Sequence, residues 1–155
     1  MEDKIKETYQ RAFFDLLEER VSDKEPAYDW IVKLYDEIRI KLISILSKDS
    51  KLRMNINDSM DIKLFEQMIK NNAFNGDDFY KLINFVFETC IKLQSPQRDE
   101  YTKNKRDEVL NIMKNGGTYA KIMVAFIKNA NICIDFIYED LHNLSNEFKS
   151  ANFIS

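Results

Sequence analysis

The residues of this chain able to do chemistry are few: one histidine, His142, two cysteines, Cys90 and Cys133, and three acidic pairs, Asp77-Asp78, Asp99-Glu100 and Asp107-Glu108. Paired carboxylates act as acid and base when their surroundings split their pKa values. Two of these pairs, however, fall where helices are expected to begin, and there the positive end of the helix dipole already explains them. A lone histidine cannot build a His-based metal site, and no Cys or carboxylate cluster with ligand spacing surrounds it. No GxSxG, phosphate-cradling glycine loop or Cys/His dyad can be read. No catalytic, cofactor-binding or metal-ligating residue is therefore assigned. Arg98 stands apart. A cation in the first turn of a helix opposes the dipole, so its position there predicts a carboxylate partner on another helix.

The elements that position these residues follow from hydrophobic spacing and punctuation. Ile5, Tyr9, Ala12, Phe13, Leu16 and Leu17 repeat at three and four, predicting a helix over residues 3–21 that the Ser22-Asp23-Lys24-Glu25 linker ends. Pro26 suits the first turn of a second helix, whose stripe of Ile31, Leu34, Tyr35, Ile38, Leu42, Ile45 and Leu46 ends near Ser47. A short helical piece over 50–57 comes next. Asp58, Ser59 or Asp61 then caps a helix running to Asn71, with Ile62, Phe65, Met68 and Ile69 inward.

Asn75-Gly76-Asp77-Asp78 opens a fifth helix with core stripe Phe79, Leu82, Ile83, Val86, Phe87, Cys90 and Ile91. Ser95 caps the sixth and Pro96 takes its first position; Asn115-Gly116-Gly117 stops it. The last helix, over 118–148, is apolar on almost every side between Ile122 and Ile127. No segment alternates with period two. The expected fold is all-α, an irregular bundle of six or seven helices in one domain over residues 1–148, followed by a tail at 149–155, with Leu34, Ile38, Leu42, Phe65, Ile83, Phe87, Phe126 and Ile137 in one core.

Composition agrees. The chain has 155 residues, 45% of them hydrophobic and 12% aromatic, against three Gly and two Pro, too apolar for disorder and too poor in turn formers for a many-stranded sandwich. With a net charge of −3 and lysines scattered among acids, it has no basic stripe for a nucleic acid. Its longest apolar stretch contains Lys128 and Asp135, so no membrane span is expected. The N-terminus lacks a secretory pattern and the cysteines sit among apolar residues, which suits a cytoplasmic location.

Between Phe65 and Glu100 an amphipathic segment breaks at Asn71-Asn72-Ala73-Phe74-Asn75-Gly76, an apolar segment follows, and Ser95-Pro96-Gln97-Arg98-Asp99-Glu100 opens the next. This order resembles the T-complex protein 11 family, in which a Gly-Ala-type turn, an apolar helix and an Ala-Pro-x-Arg-Asp-Glu motif succeed one another. Upstream, Phe13-Phe14-Asp15-Leu16-Leu17, Pro26-Ala27-Tyr28 and Leu34-Tyr35-Asp36-Glu37-Ile38-Arg39 are similar to the family's opening helices, as is Leu42-Ile43-Ser44-Ile45-Leu46. Residues 132–143 loosely resemble its later apolar helix. Asn72 replaces the family's glycine and Ser95 its alanine. Family members are several hundred residues long, and the chain corresponds to their N-terminal portion.

The resemblance marks Glu37, Arg39, Pro96, Arg98, Asp99 and Glu100 as family-motif residues and implies no enzyme and no cofactor. It implies a non-catalytic helical interaction module with a protein partner, a signalling adaptor on cyclic-AMP-dependent protein kinase pathways. The alternatives are a structural or scaffold component, for example of a virion, and a small hydrolase or transferase using acids near Arg98. The carboxylate expected to hold Arg98 is Glu37, and removing one partner of a buried pair costs about 3–5 kcal/mol. On the last helix, Tyr119, Met123, Phe126, Ala130, Cys133 and Ile137 form a strip expected to be either enclosed by the bundle with a residual exposed edge or used as an interface, including in a homo-oligomer.

Overall fold

Helix-terminus chemistry sets the framework. The computed structural model describes residues 12–16, 18–19 and 28–154, with side chains as far as 149. Residues 12–16 and 18–19 are helical; the rest of the expected first helix, the 22–25 linker and Pro26 lie outside the described residues. Six further helices follow: α1 (Tyr28–Ile43), α2 (Lys51–Ser59), α3 (Ile62–Lys70), α4 (Gly76–Leu93), α5 (Asp99–Lys114) and α6 (Tyr119–Ile154). No strand occurs among the described residues. The expected all-α bundle is what forms.

Ser50 caps α2 and Asp61 caps α3, the latter accepting the Leu64 N–H at 3.1 Å. At α4, Asn75 accepts the Asp78 N–H at 3.1 Å while the Asp78 carboxylate accepts the Asn75 N–H at 3.0 Å, a reciprocal cap that satisfies two otherwise orphaned donors. Two helices stop in the same way. After α3, the N–H groups of Asn72 and Ala73 return to the carbonyls of Ile69 and Met68, and Asn72 sits at φ 53°. After α5, Gly116 and Gly117 do the same with Met113 and Ile112, with Gly116 at φ 75°. Both are turns that require one left-handed residue, which asparagine and glycine supply at the least cost.

Three boundaries differ from expectation. α1 stops at Ile43 rather than near Ser47, because the chain tightens into a turn where Ile45 and Leu46 donate to the carbonyls of Leu42 and Ile43. Ser95 makes no side-chain cap; Pro96 opens a single 3-10 turn, Pro96–Arg98, before α5. The last helix continues through Ile154. At 36 residues it is about 54 Å long.

α6 lies along α1, α4 and α5, and α1 in turn packs on α2 and α3. Phe87 and Phe126, both fully buried, meet edge to face at 6.4 Å in the middle of the core. A second aromatic run crosses the bundle: Tyr35 stacks on Phe65 at 3.8 Å, Phe65 meets Phe74 at 5.3 Å, Phe74 meets Phe79 at 4.8 Å and Phe79 meets Tyr119 at 5.0 Å. Such offset and edge-to-face pairs add to the burial of their area. Of the eight expected core residues, Leu34 is only half-buried at the edge of the cluster; the other seven are buried. Ile45, Leu46, Ile62, Met68 and Ile91, also expected inward, are half-buried as well.

The α6 strip is enclosed. Met123, Phe126, Ala130, Cys133 and Ile137 are buried, and only Tyr119, at the mouth of the bundle, is exposed by more than a third. Beyond Ile137 the apolar positions Leu141, Leu144 and Phe148 continue the same face and are exposed among the described residues.

Candidate functional site

The corner between α4 and α5 brings the family-motif residues against α6. Pro96, with its fixed φ and no N–H to lose, starts the turn, and Arg98 at its end reaches across to Asp140. Nε donates to Oδ2 and a terminal guanidinium nitrogen to Oδ1, both at 2.7 Å. The parallel two-bond geometry is what a planar guanidinium and a carboxylate achieve best. The Arg98 guanidinium also lies 4.3 Å from the Phe136 ring centre, and Tyr101 meets the same ring edge-on at 5.3 Å. Hydrogen bonding to Arg98 holds the Asp140 carboxyl below the usual carboxylate range, and the reciprocal bond raises the guanidinium further.

The expectation that a carboxylate on another helix holds Arg98 is met, but by Asp140 and not by Glu37. Glu37 is exposed on α1. It borders the α1 stripe on the solvent side, whereas Asp140 lies three positions after buried Ile137, on the border of α6 that faces the corner. Both side chains of the pair keep roughly 30% exposure (29% and 32%). The penalty for breaking a fully buried pair therefore does not apply at full strength.

Asp99 accepts from the Gln94 amide at 2.9 Å, and the Gln94 carbonyl accepts from the Thr102 hydroxyl at 2.7 Å. This chain of bonds ties the end of α4 to the first turn of α5. One turn further, buried Asn129 of α6 donates to the Lys105 carbonyl at 2.9 Å and to Glu108 at 3.0 Å. Arg39 braces a different joint, bonding Asp36 at 2.9 Å on its own helix and Asn57 of α2 at 2.8 Å. Glu100 is exposed. The residues that sequence reasoning missed are Asp140, Phe136, Gln94, Thr102 and Asn129. A polar residue within the apolar run of α6 is the signal the sequence offers for Asn129.

The other candidates for chemistry have ordinary surroundings. Cys90 and Cys133 are free, buried thiols; burial pushes both up, Cys133 to about 11. His142 is exposed and pairs with Asn146 at 3.3 Å. Among the described residues no group of His, Cys, Asp or Glu is placed to hold a metal ion.

A family model described as T-complex protein 11 matches residues 1–143. The chain belongs to the T-complex protein 11 family. It is 32% identical to the human T-complex protein 11 homolog over 101 residues, which are 64% of this chain and 20% of that protein. It is 22% identical to mouse T-complex protein 11 over 151 residues and 23% identical to the rat homolog over 154, almost the whole of this chain but 26% and 27% of theirs. The chain thus spans between a fifth and just over a quarter of these relatives. No solved structure matches. In this T-complex protein 11 domain the Pro-x-Arg-Asp-Glu motif falls at the α4–α5 corner, where it fastens three helices, and Asn72 adopts the left-handed conformation that a glycine takes readily.

Proposed function

We propose that the chain is a non-catalytic helical interaction module, an adaptor that engages a protein partner on cyclic-AMP-dependent protein kinase pathways. The observation that carries this reading is how its candidate chemical groups are used. Arg98 is committed to Asp140, Asp99 to Gln94 and Glu108 to Asn129, and both thiols are buried with raised pKa. Groups bound in this way brace helices against one another, as a docking scaffold requires. Family membership supports the same reading, since it points to a non-enzymatic protein, and so does the exposed apolar face of Leu141, Leu144 and Phe148. The proposed module comprises residues 1–148.

The test is direct binding of the purified full chain to regulatory and catalytic subunits of a cyclic-AMP-dependent protein kinase, measured by calorimetry. Saturable binding to one of them is expected. Heat changes no larger than dilution for every subunit would overturn the kinase assignment.

A further inference from the structure

A groove opens between two helices that follow each other in sequence. α3 is packed chiefly on α1, not along α4, and the tight turn at 71–75 separates the two. The result is a groove of about 360 Å³ between them. Its walls are apolar: Leu64 is 52% exposed, and Met68, Phe74 and Phe85 are half-buried along it. Its rim carries Asp58, Asp61 and Asp78 against a single cation, Lys81. At its floor lies Tyr35, only 3% exposed.

We propose that this α3–α4 groove docks a basic peptide segment of a protein partner, seating one aliphatic or aromatic side chain between Leu64, Met68 and Phe85 while flanking Lys or Arg side chains meet the three rim aspartates. The inference locates the partner surface of the interaction module and rests on that reading. Charge complementarity selects the occupant. Three carboxylates around an apolar slot repel phosphates, nucleic acids and acidic peptides and attract cations. The apolar walls reward an anchor side chain, as grooves between helices do for amphipathic segments. The Tyr35 hydroxyl offers a further polar contact to a backbone carbonyl or amide of the bound segment.

Panning a phage-displayed random peptide library against the full chain tests this, with each enriched peptide then titrated by fluorescence polarisation. The expected consensus is a large apolar residue flanked by Lys or Arg. Affinity should fall about tenfold or more for Leu64→Glu and severalfold for Asp58→Asn with Asp61→Asn, as charge and anchor contacts at interfaces do. Asp61→Asn keeps the α3 cap. Tyr35→Phe, which keeps the stack on Phe65, should weaken binding less, and Lys121→Gln on the exposed side of α6 should leave it unchanged. Enrichment of acidic or neutral peptides, no enrichment at all, or peptides that bind Leu64→Glu as tightly as wild type would each overturn the proposal. The kinase-subunit calorimetry fails or succeeds independently. Subunit binding that survives Leu64→Glu overturns the groove and leaves the adaptor; peptide selection without subunit binding overturns the kinase assignment and leaves the groove.

Discussion

Arg98 grips Asp140 across 42 positions of chain through two hydrogen bonds of 2.7 Å each. The grip fixes where the α4–α5 corner meets α6, and Phe136 beneath the guanidinium shields one face of it. Because both side chains remain about 30% exposed (29% and 32%), a double-mutant cycle with Arg98→Ala and Asp140→Ala should give a coupling of about 1–2 kcal/mol. Urea denaturation of the four chains checks it. Arg98→Lys should recover only part of that coupling, since an ammonium cannot make the paired bonds.

The same pair sets an acid limb. Asp140 is held below its ordinary value of 3.8 by Arg98, so its contribution to stability is complete above that value and is lost as pH falls through the lower, folded-state pKa. Midpoints of urea unfolding measured between neutral and strongly acidic pH should decline less steeply for Asp140→Asn than for wild type. Parallel curves would show that the carboxylate is not held.

The stop of α5 makes a backbone prediction. Gly116 lies at φ 75°, and a Cβ on Gly117 would sit against the Ile112 Cγ2 and 2.7 Å from the Ile112 carbonyl oxygen. Gly116→Ala should cost about 1–2 kcal/mol through the left-handed penalty. Gly117→Ala should cost at least as much, because the nearby carbonyl is backbone and cannot swing aside. Thermal melts of the two variants test both values.

Much of this architecture was legible. The Asn75-Gly76-Asp77-Asp78 start and the Gly116-Gly117 stop are local bonds within a few residues, and the sequence pattern carries such information directly, while for the α3 cap it offers Asp58, Ser59 or Asp61 and the structure selects Asp61. The need of Arg98 for a carboxylate was legible for the same reason. The identity of the partner was not, because Glu37 and Asp140 both border apolar stripes, and only the placement of α1 and α6 around the corner selects between them. The groove was hidden for a related reason: Phe65 and Met68 both read as core, while the departure of α3 from α4 toward α1 is a tertiary choice.

Thiol chemistry checks the interior. Cys90 is fully buried and Cys133 nearly so, and burial raises both pKa values. A thiol reacts as thiolate, so a disulfide reagent near pH 8 should label neither in the native protein and both in denaturant. Native labelling at the rate of an open thiol would contradict the enclosed course of α6.

Arg98 braces the fold, and the α3–α4 groove is the proposed recognition surface. The most direct measurement is a set of fluorescence-polarisation isotherms of one selected basic peptide against wild type, Arg98→Lys and Leu64→Glu, taken below the melting temperature of each. Arg98→Lys should bind within about twofold of wild type, while Leu64→Glu should bind about tenfold weaker or not at all. Folded Arg98→Lys that has lost the peptide, beside Leu64→Glu that retains it, would place recognition at the α4–α5 corner instead of the groove.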